Sequence, residues 1–192
     1  MNLTLPKPTL RGERVLLRPF TTDDLEAYLL LLTDPEGLRL TGTQASFTRE
    51  QTEGWLAKIA AQPGRYDLAI TLEETGELIG EVVVNDLDGD NRLANLRVGL
   101  RAAYTGRGYG TEAMRLMIAF AFEQIGLHRL ELEVFDFNPR AQHVYEHKLG
   151  FRREGVLRDV LYLDGRYHSA IVMSLLEDEY RASKAAQPQP VS

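Results

Sequence analysis

The sequence contains no cysteine. A disulfide scaffold, a thiolate zinc site and a cysteine nucleophile are therefore excluded together. No apolar run approaches the roughly 20 residues that a membrane-spanning helix needs. The first residues, Met1-Asn2-Leu3-Thr4-Leu5-Pro6-Lys7-Pro8, carry neither the basic end nor the apolar stretch of a secretory signal. The expected location is the cytoplasm, with no membrane partner. Lysine is scarce, found only at Lys7, Lys58, Lys148 and Lys184, and positive charge is in deficit: 22 basic against 28 acidic residues leave a net charge of −6. Duplex DNA and anionic membranes need a basic footprint, so no direct nucleic-acid binding is expected. The histidines His128, His143, His147 and His168 offer no convincing ligand spacing. They read as surface residues, and no metal is expected.

What is present is ordinary globular material. Hydrophobic residues make up 44% and charged residues 26% of 192 positions, enough for the core of one domain. Residues 1–180 show no repeat and no internal linker. Residues 181–192 are small, polar and proline-containing, and read as a flexible tail.

The hydrophobic pattern gives an alternating series of elements. Arg14–Arg18 reads as a strand stopped by Pro19. A helix follows, capped by Thr21 or Thr22, with Leu25, Tyr28, Leu29 and Leu32 as its buried stripe, and ends at Asp34-Pro35. Thr48 and Gln51 form a capping-box pattern opening a helix to about Gln62. Tyr66–Leu72 and Leu78–Val84 read as a hairpin around Glu74-Thr75-Gly76-Glu77. Asp86–Asn91 reads as a polar loop and Leu93–Leu100 as a strand. Thr111–Ile125 is expected to be a largely buried helix stopped by Gly126. Arg129–Phe135 alternates, with Leu130, Leu132 and Val134 on one face. A short helix over Pro139–Leu149 and a final hairpin, Arg158–Leu163 and Tyr167–Leu175 around Asp164-Gly165, complete the chain. The order β-α-α-β-β-β-α-β-α-β-β places the fold in the α/β (α+β) range, a mixed sheet flanked by helices. The last hairpin offers an edge to a second copy, so a homodimer is compatible with the pattern.

The sharpest local signal is Thr105-Gly106-Arg107-Gly108-Tyr109-Gly110-Thr111, between a strand and a buried helix. Alternating glycines admit positive φ and let an anion reach the backbone. A helix N-terminus supplies unpaired N–H groups and a favourable dipole. Such a loop cradles phosphate or pyrophosphate, and otherwise serves as a flexible connection. It is not a P-loop, since no Gly-Lys-Ser/Thr follows, and its Gly-x-Gly-x-Gly spacing is not the dinucleotide fingerprint. A second constellation is Glu133 on the polar face of its strand, Asn138 before Pro139, Tyr145, and Leu149-Gly150-Phe151. Asn138 also makes a good helix start by itself, and Tyr145 also reads as a core tyrosine.

Gly106-Arg107-Gly108-Tyr109-Gly110-Thr111-Glu112-Ala113, then Asn138, Tyr145-Glu146, Leu149-Gly150-Phe151 and Glu154-Gly155, in order and spacing, resemble the GCN5-related N-acetyltransferases (GNAT). Within that superfamily the sequence is most similar to the branch of ribosomal-protein N-terminal acetyltransferases. The resemblance covers about Leu10 to Tyr180. It implies a mostly antiparallel central sheet and acetyl-CoA as cosubstrate, with Gly106 to Thr111 on its pyrophosphate, the backbone of Val98, Gly99 and Leu100 along its pantetheine arm, and Asn138 in contact with it. It implies Tyr145 as general acid and Glu133 as the matching carboxylate base. The implied reaction is direct acetyl transfer to a primary amine, most plainly a protein N-terminal α-amine. A small amine such as a polyamine, aminoglycoside or amino-acid derivative is the alternative, and a non-catalytic acyl-CoA-binding module is another. Two places depart from the pattern. Thr105 stands where Gln or Arg is usual, and Arg97 stands where many relatives carry an acid. Glu81, in Ile79-Gly80-Glu81, is either a compensating carboxylate across the sheet or part of a solvated strand face. The base is accordingly Glu133, Glu81 or water. The expected substrate-facing segments are Thr33–Phe47 and the Tyr162–Tyr167 turn.

Overall fold

A computed structural model describes residues 5–186. Eight strands form one sheet: β1 (Leu10–Arg11), β2 (Val15–Pro19), β3 (Tyr66–Leu72), β4 (Leu78–Asp88), β5 (Leu93–Leu100), β6 (Arg129–Phe135), β7 (Arg152–Leu163) and β8 (Arg166–Leu176). Their spatial order is β1-β2-β3-β4-β5-β6-β8-β7. Every neighbouring pair is antiparallel except β5 and β6. The helices are α1 (Leu25–Leu32), α2 (Pro35–Thr41), α3 (Arg49–Ile59), α4 (Tyr109–Phe120), α5 (Pro139–His143) and α6 (Glu177–Ala185). After α4 and α5 the chain continues in widened π turns, Ala121–Ile125 and Val144–Lys148. Among the described residues no helix is long and apolar enough to cross a membrane.

Strand alternation sorts the side chains into two layers. On one face Val82, Leu96, Leu130 and Met173 pack against Met114, Met117 and Phe120 of α4, with α5 alongside. Each large side chain buried there stabilises the fold by roughly 1.5–3 kcal/mol. On the other face α1 and α3 bring Tyr28, Leu31, Leu56 and Ile59 against Ala69. There the rings of Phe20, Tyr28 and Trp55 lie 4.9–5.4 Å apart. The capping box at Thr48 forms as its sequence indicates: Thr48 N–H donates to the Gln51 side chain at 2.9 Å, and Gln51 N–H to Thr48 Oγ1 at 3.2 Å.

The feature that makes a site is the junction of β5 and β6. They pair only over Leu93↔Arg129, Ala94↔Leu130 and Asn95↔Glu131. Beyond Asn95, β5 stays with β4 as far as Leu100, while β6 stays with β8 as far as Phe135. The two strands part, and a groove opens between them.

Several boundaries differ from the sequence reading. α2 is an additional helix, started by Asp34, whose carboxylate accepts from Gly37 N–H, with Pro35 at its first position. β4 runs on to Asp88 through an irregularity at Asn85–Asp88, where Asp86 has φ +53°. The expected loop shrinks to a turn tied by Asp88 Oδ1, which accepts from Asp90 and Asn91 N–H. α3 stops at Ile59, and α4 begins at Tyr109, two residues early. β7 begins at Arg152 rather than Arg158; as an outer strand exposed from Arg152 to Val160, it has no apolar alternation to reveal it. α6 occupies 177–185, so the expected tail is helical in its first residues; the part from 187 lies outside the described residues. His168 corrects the reading of all histidines as surface groups. It is only 4% exposed, with Nδ1 2.9 Å from Asp136 Oδ1, whereas His128, His143 and His147 are exposed.

Candidate active site

The groove between β5 and β6 has a volume of about 1240 Å³. Val98, Gly99 and Leu100 form one wall, Leu132 to Phe135 the other, and Gly106, Gly108, Gly110 and Thr111 close one end. Because β5 has no partner on its β6 side past Asn95, peptide groups there face the groove instead of a neighbouring strand.

At the closed end the glycine loop turns into α4. Gly106 and Gly108 have φ of +74° and +88°, the left-handed region that favours glycine, and Gly108 is the residue preceding the helix. The first turn of α4 therefore directs free N–H groups and the positive end of the helix dipole at the groove. The loop is braced from behind: Arg14 Nη1 donates to the Arg107 carbonyl oxygen at 2.9 Å. Arg14, Arg115, Arg140 and Lys148 add cationic side chains to the lining. A phosphate-bearing ligand meets both backbone donors and guanidinium groups here. Arg107 and Tyr109, candidates from the sequence, are not among the lining residues. The Arg107 guanidinium lies 6.0 Å from the Tyr104 ring centre, and the Tyr109 ring lies beneath Arg14 at 5.1 Å.

Along the other wall, Asn138, Tyr145 and Glu133 all line the groove. Asn138 Oδ1 accepts from Ala141 N–H at 3.2 Å, so its carbonyl caps α5. Tyr145 is half-buried against the core, its ring 6.4 Å from that of Phe151, and its hydroxyl has no hydrogen-bond partner among the described residues. Burial pushes the phenol up to about 12. The group is thus a protonated donor facing the groove at neutral pH. Glu133 sits on the opposite face of β6 from Leu132 and Val134, exposed, with no hydrogen bond or ion pair to any described residue.

A smaller pocket of about 140 Å³ lies on the α1–α2 side of β5. It shares Gly37, Thr41, Arg97, Gly99 and Leu100 with the groove, so the two spaces meet at the strand where β5 is unpaired. Glu81, directly across from Gly99 on β4, lines it. Tyr28 Oη donates to Glu81 Oε2 at 2.8 Å, and Arg97 Nη2 stands 3.5 Å from Glu81 Oε1. Burial raises the Glu81 pKa, against the opposing pull of Arg97 and the Tyr28 hydrogen bond. Glu81 is therefore not part of a solvated strand face. Tyr28 read only as a core residue in the sequence. Its role as partner of Glu81 has no local signal, because the two lie 53 positions apart.

Residues 14–152 match the Acetyltransferase (GNAT) domain family. The chain belongs to the GNAT family. As a GNAT N-acetyltransferase it has relatives of more than one acceptor class. It is 34% identical over 109 residues to the "Putative ribosomal N-acetyltransferase YdaF" of Bacillus subtilis (strain 168), spanning 57% of this chain and 59% of that protein. It is 32% identical over 111 residues to the spermidine N(1)-acetyltransferase of Escherichia coli (strain K12), spanning 58% and 59%. Each of these two matches therefore spans less than two thirds of the relative. The fold is shared with the spermidine N-acetyltransferase of Vibrio cholerae solved with CoA and spermine, at a TM-score of 0.80 and 22% identity, covering 88% of this GNAT chain and 99% of that one.

Proposed function

We propose that this GNAT enzyme transfers the acetyl group of acetyl-CoA directly to a protein N-terminal α-amine. The observation that carries the choice of acceptor is Arg97. Its side chain is more than half exposed in the lining of both the groove and the smaller pocket, beside Gly99 and Leu100. A polyamine is a multiple cation at neutral pH and needs anions at such a mouth. Here it meets Arg97, whose charge offsets that of the neighbouring Glu81 and leaves no net anion for a second ammonium. An acceptor with a single amine fits better. An α-amine, with a pKa near 8 against about 10.4 for lysine, also requires less help to lose its proton.

The residues divide the work as follows. Acetyl-CoA supplies a thioester carbonyl for attack and a thiolate leaving group. The N–H groups of Gly106 to Thr111, with Arg14, Arg115, Arg140 and Lys148, bind its phosphates. Unpaired peptide groups of Val98 to Leu100 align its arm, and an N–H there donates to the carbonyl oxygen as charge builds on it. The Asn138 side-chain amide adds a polar contact. As the C–N bond forms and the C–S bond breaks, Glu133 takes the amine proton, directly or through water, and the Tyr145 hydroxyl gives a proton to the sulfur. Glu133 has no competing partner among the described residues, and the Tyr145 phenol is held protonated, which supports these two roles.

The test is acetyl transfer to a mixed panel read by mass spectrometry: N-terminal peptides, lysine peptides with blocked N-termini, spermidine and aminoglycosides. Acetylated α-amines are expected. Product on spermidine or aminoglycosides alone reassigns the enzyme to small amines. Bound acetyl-CoA with no product on any amine points to a binding module.

A further inference from the structure

We propose that Arg97 and Glu81 form a two-part receptor that selects acceptors carrying a carboxylate two to four bonds from the reactive amine. This rests on the α-amine reading above and narrows it to one substrate class.

The pair is asymmetric. Glu81 is held, with its side chain 15% exposed and one oxygen bonded to Tyr28. Arg97 is 56% exposed, and its 3.5 Å approach to Glu81 is an ion pair without a hydrogen bond. So exposed a pair adds little to stability, and it explains little as a structural element. The guanidinium has five N–H donors in a planar fork suited to a carboxylate, and none donates to a described residue.

The floor between the two groups is Gly99. In register Glu81 faces Gly99 and Arg97 faces Val83, so the charges flank a position with no side chain. A Cβ on Gly99 would have Glu81 Cγ as its nearest neighbour, at 3.9 Å, so the space above it is open. That floor is also the unpaired strand where groove and pocket meet. An ammonium resting there pairs with Glu81 before it gives up its proton, and a carboxylate two to four bonds away reaches Arg97. The four charges then alternate in sign. Leu31, Leu32, Leu38 and Phe47 line the same pocket and lower the local dielectric, which strengthens the match. An amide in place of the carboxylate leaves Arg97 without an anion, and a second cation is repelled.

Two sources share this chemistry: a peptide beginning with Asp or Glu, and a free α-amino acid. The experiment measures kcat/KM with acetyl-CoA for peptides beginning Asp, Glu, Asn or Gln, for the free amino acids, and for spermidine, in wild type, Arg97→Gln and Arg97→Glu. Calorimetric acetyl-CoA binding shows that each variant is folded. A preference of tenfold or more for Asp- and Glu-peptides over their amides is expected, falling toward one in Arg97→Gln and reversing in Arg97→Glu. The same pattern confined to free amino acids supports the receptor and overturns the protein acceptor. Peptide α-amines acetylated with no acidic preference, or with a preference that Arg97→Gln leaves intact, overturn the receptor and leave the α-amine reading standing. Transfer to spermidine alone overturns both.

Discussion

Glu112, in the first turn of α4, and Arg14, just before β2, meet twice: the Glu112 carboxylate accepts from the Arg14 backbone N–H at 2.8 Å and from its guanidinium at 3.1 Å. The same guanidinium continues to the Arg107 carbonyl, so the position of the glycine loop depends on this contact. Burial alone would raise the Glu112 pKa. Hydrogen bonds from the backbone of Arg14 and Val15, and from the guanidinium, outweigh it and hold the carboxyl below its usual value. A depressed carboxyl stabilises the fold fully above its unfolded pKa, near 4.3, and loses that contribution as pH falls through the folded value. Glu112→Gln is expected to lower stability by about 1–2 kcal/mol at neutral pH. The difference from wild type should shrink below about pH 4. Urea titrations at neutral and acid pH check this, and an equal deficit at both would remove Glu112 from the acid response.

Gly108 tests the cradle itself. Its φ of +88° costs an L-residue roughly 1–2 kcal/mol, and an added Cβ would lie 2.9 Å from Arg14 Nη2. The guanidinium can swing away, but only by releasing the Arg107 carbonyl or Glu112. Gly108→Ala should therefore lower the melting temperature and weaken acetyl-CoA binding about tenfold or more, the loss of one or two charge-assisted hydrogen bonds. Calorimetry separates the two effects. Weaker stability with unchanged acetyl-CoA affinity would place the phosphates elsewhere.

Tyr145 should show its role in turnover rather than in binding. Its phenol, raised to about 12 by burial, stays protonated across the working range. Tyr145→Phe is expected to lower kcat by about 10–100-fold, with the fold reduction constant from neutral pH to about pH 10. Single-turnover rates across pH provide the check. Wild-type kcat falling with an apparent pKa well under 11, and that limb vanishing in the variant, would show a phenol that ionises far below its buried value.

How much of this was legible in the sequence follows from how local each signal is. The capping box at Thr48, the Tyr66–Leu72 strand and the glycine loop are written in neighbouring residues, and the structure has them where the pattern puts them. α2 was not legible, because Pro35-Glu36-Gly37 interrupts any apolar period and no residue of that helix is fully buried. β7 was half missed because an exposed edge strand need not alternate. Besides Arg97, the cations lining the groove come from four separate places: Arg14 ahead of β2, Arg115 on α4, Arg140 on α5 and Lys148 in the turn after it. Each reads as an ordinary surface residue until the fold brings them together. Arg97 was visible as an oddity, but its relation to Glu81 needed the β4–β5 register.

The remaining question is which carboxylate takes the proton. Glu133 and Glu81 face the same side of the sheet, on strands either side of β5, yet their surroundings differ. Glu133 is exposed and has no partner among the described residues, so a proton it accepts passes readily to solvent. Glu81 accepts from Tyr28 and faces Arg97, an arrangement that orients an ammonium more readily than it releases a proton. Glu133→Gln should therefore lower kcat/KM at neutral pH by about 10²-fold, the lower end of the general-base range. Much of the loss should return above about pH 8, where an α-amine is already neutral. Glu81→Gln should mainly raise KM for the acceptor and leave the shape of the profile alone. Paired profiles of the two variants decide the matter. If Glu81→Gln moves the acid limb and Glu133→Gln does not, the base is Glu81, and Tyr28 then tunes it through their shared hydrogen bond.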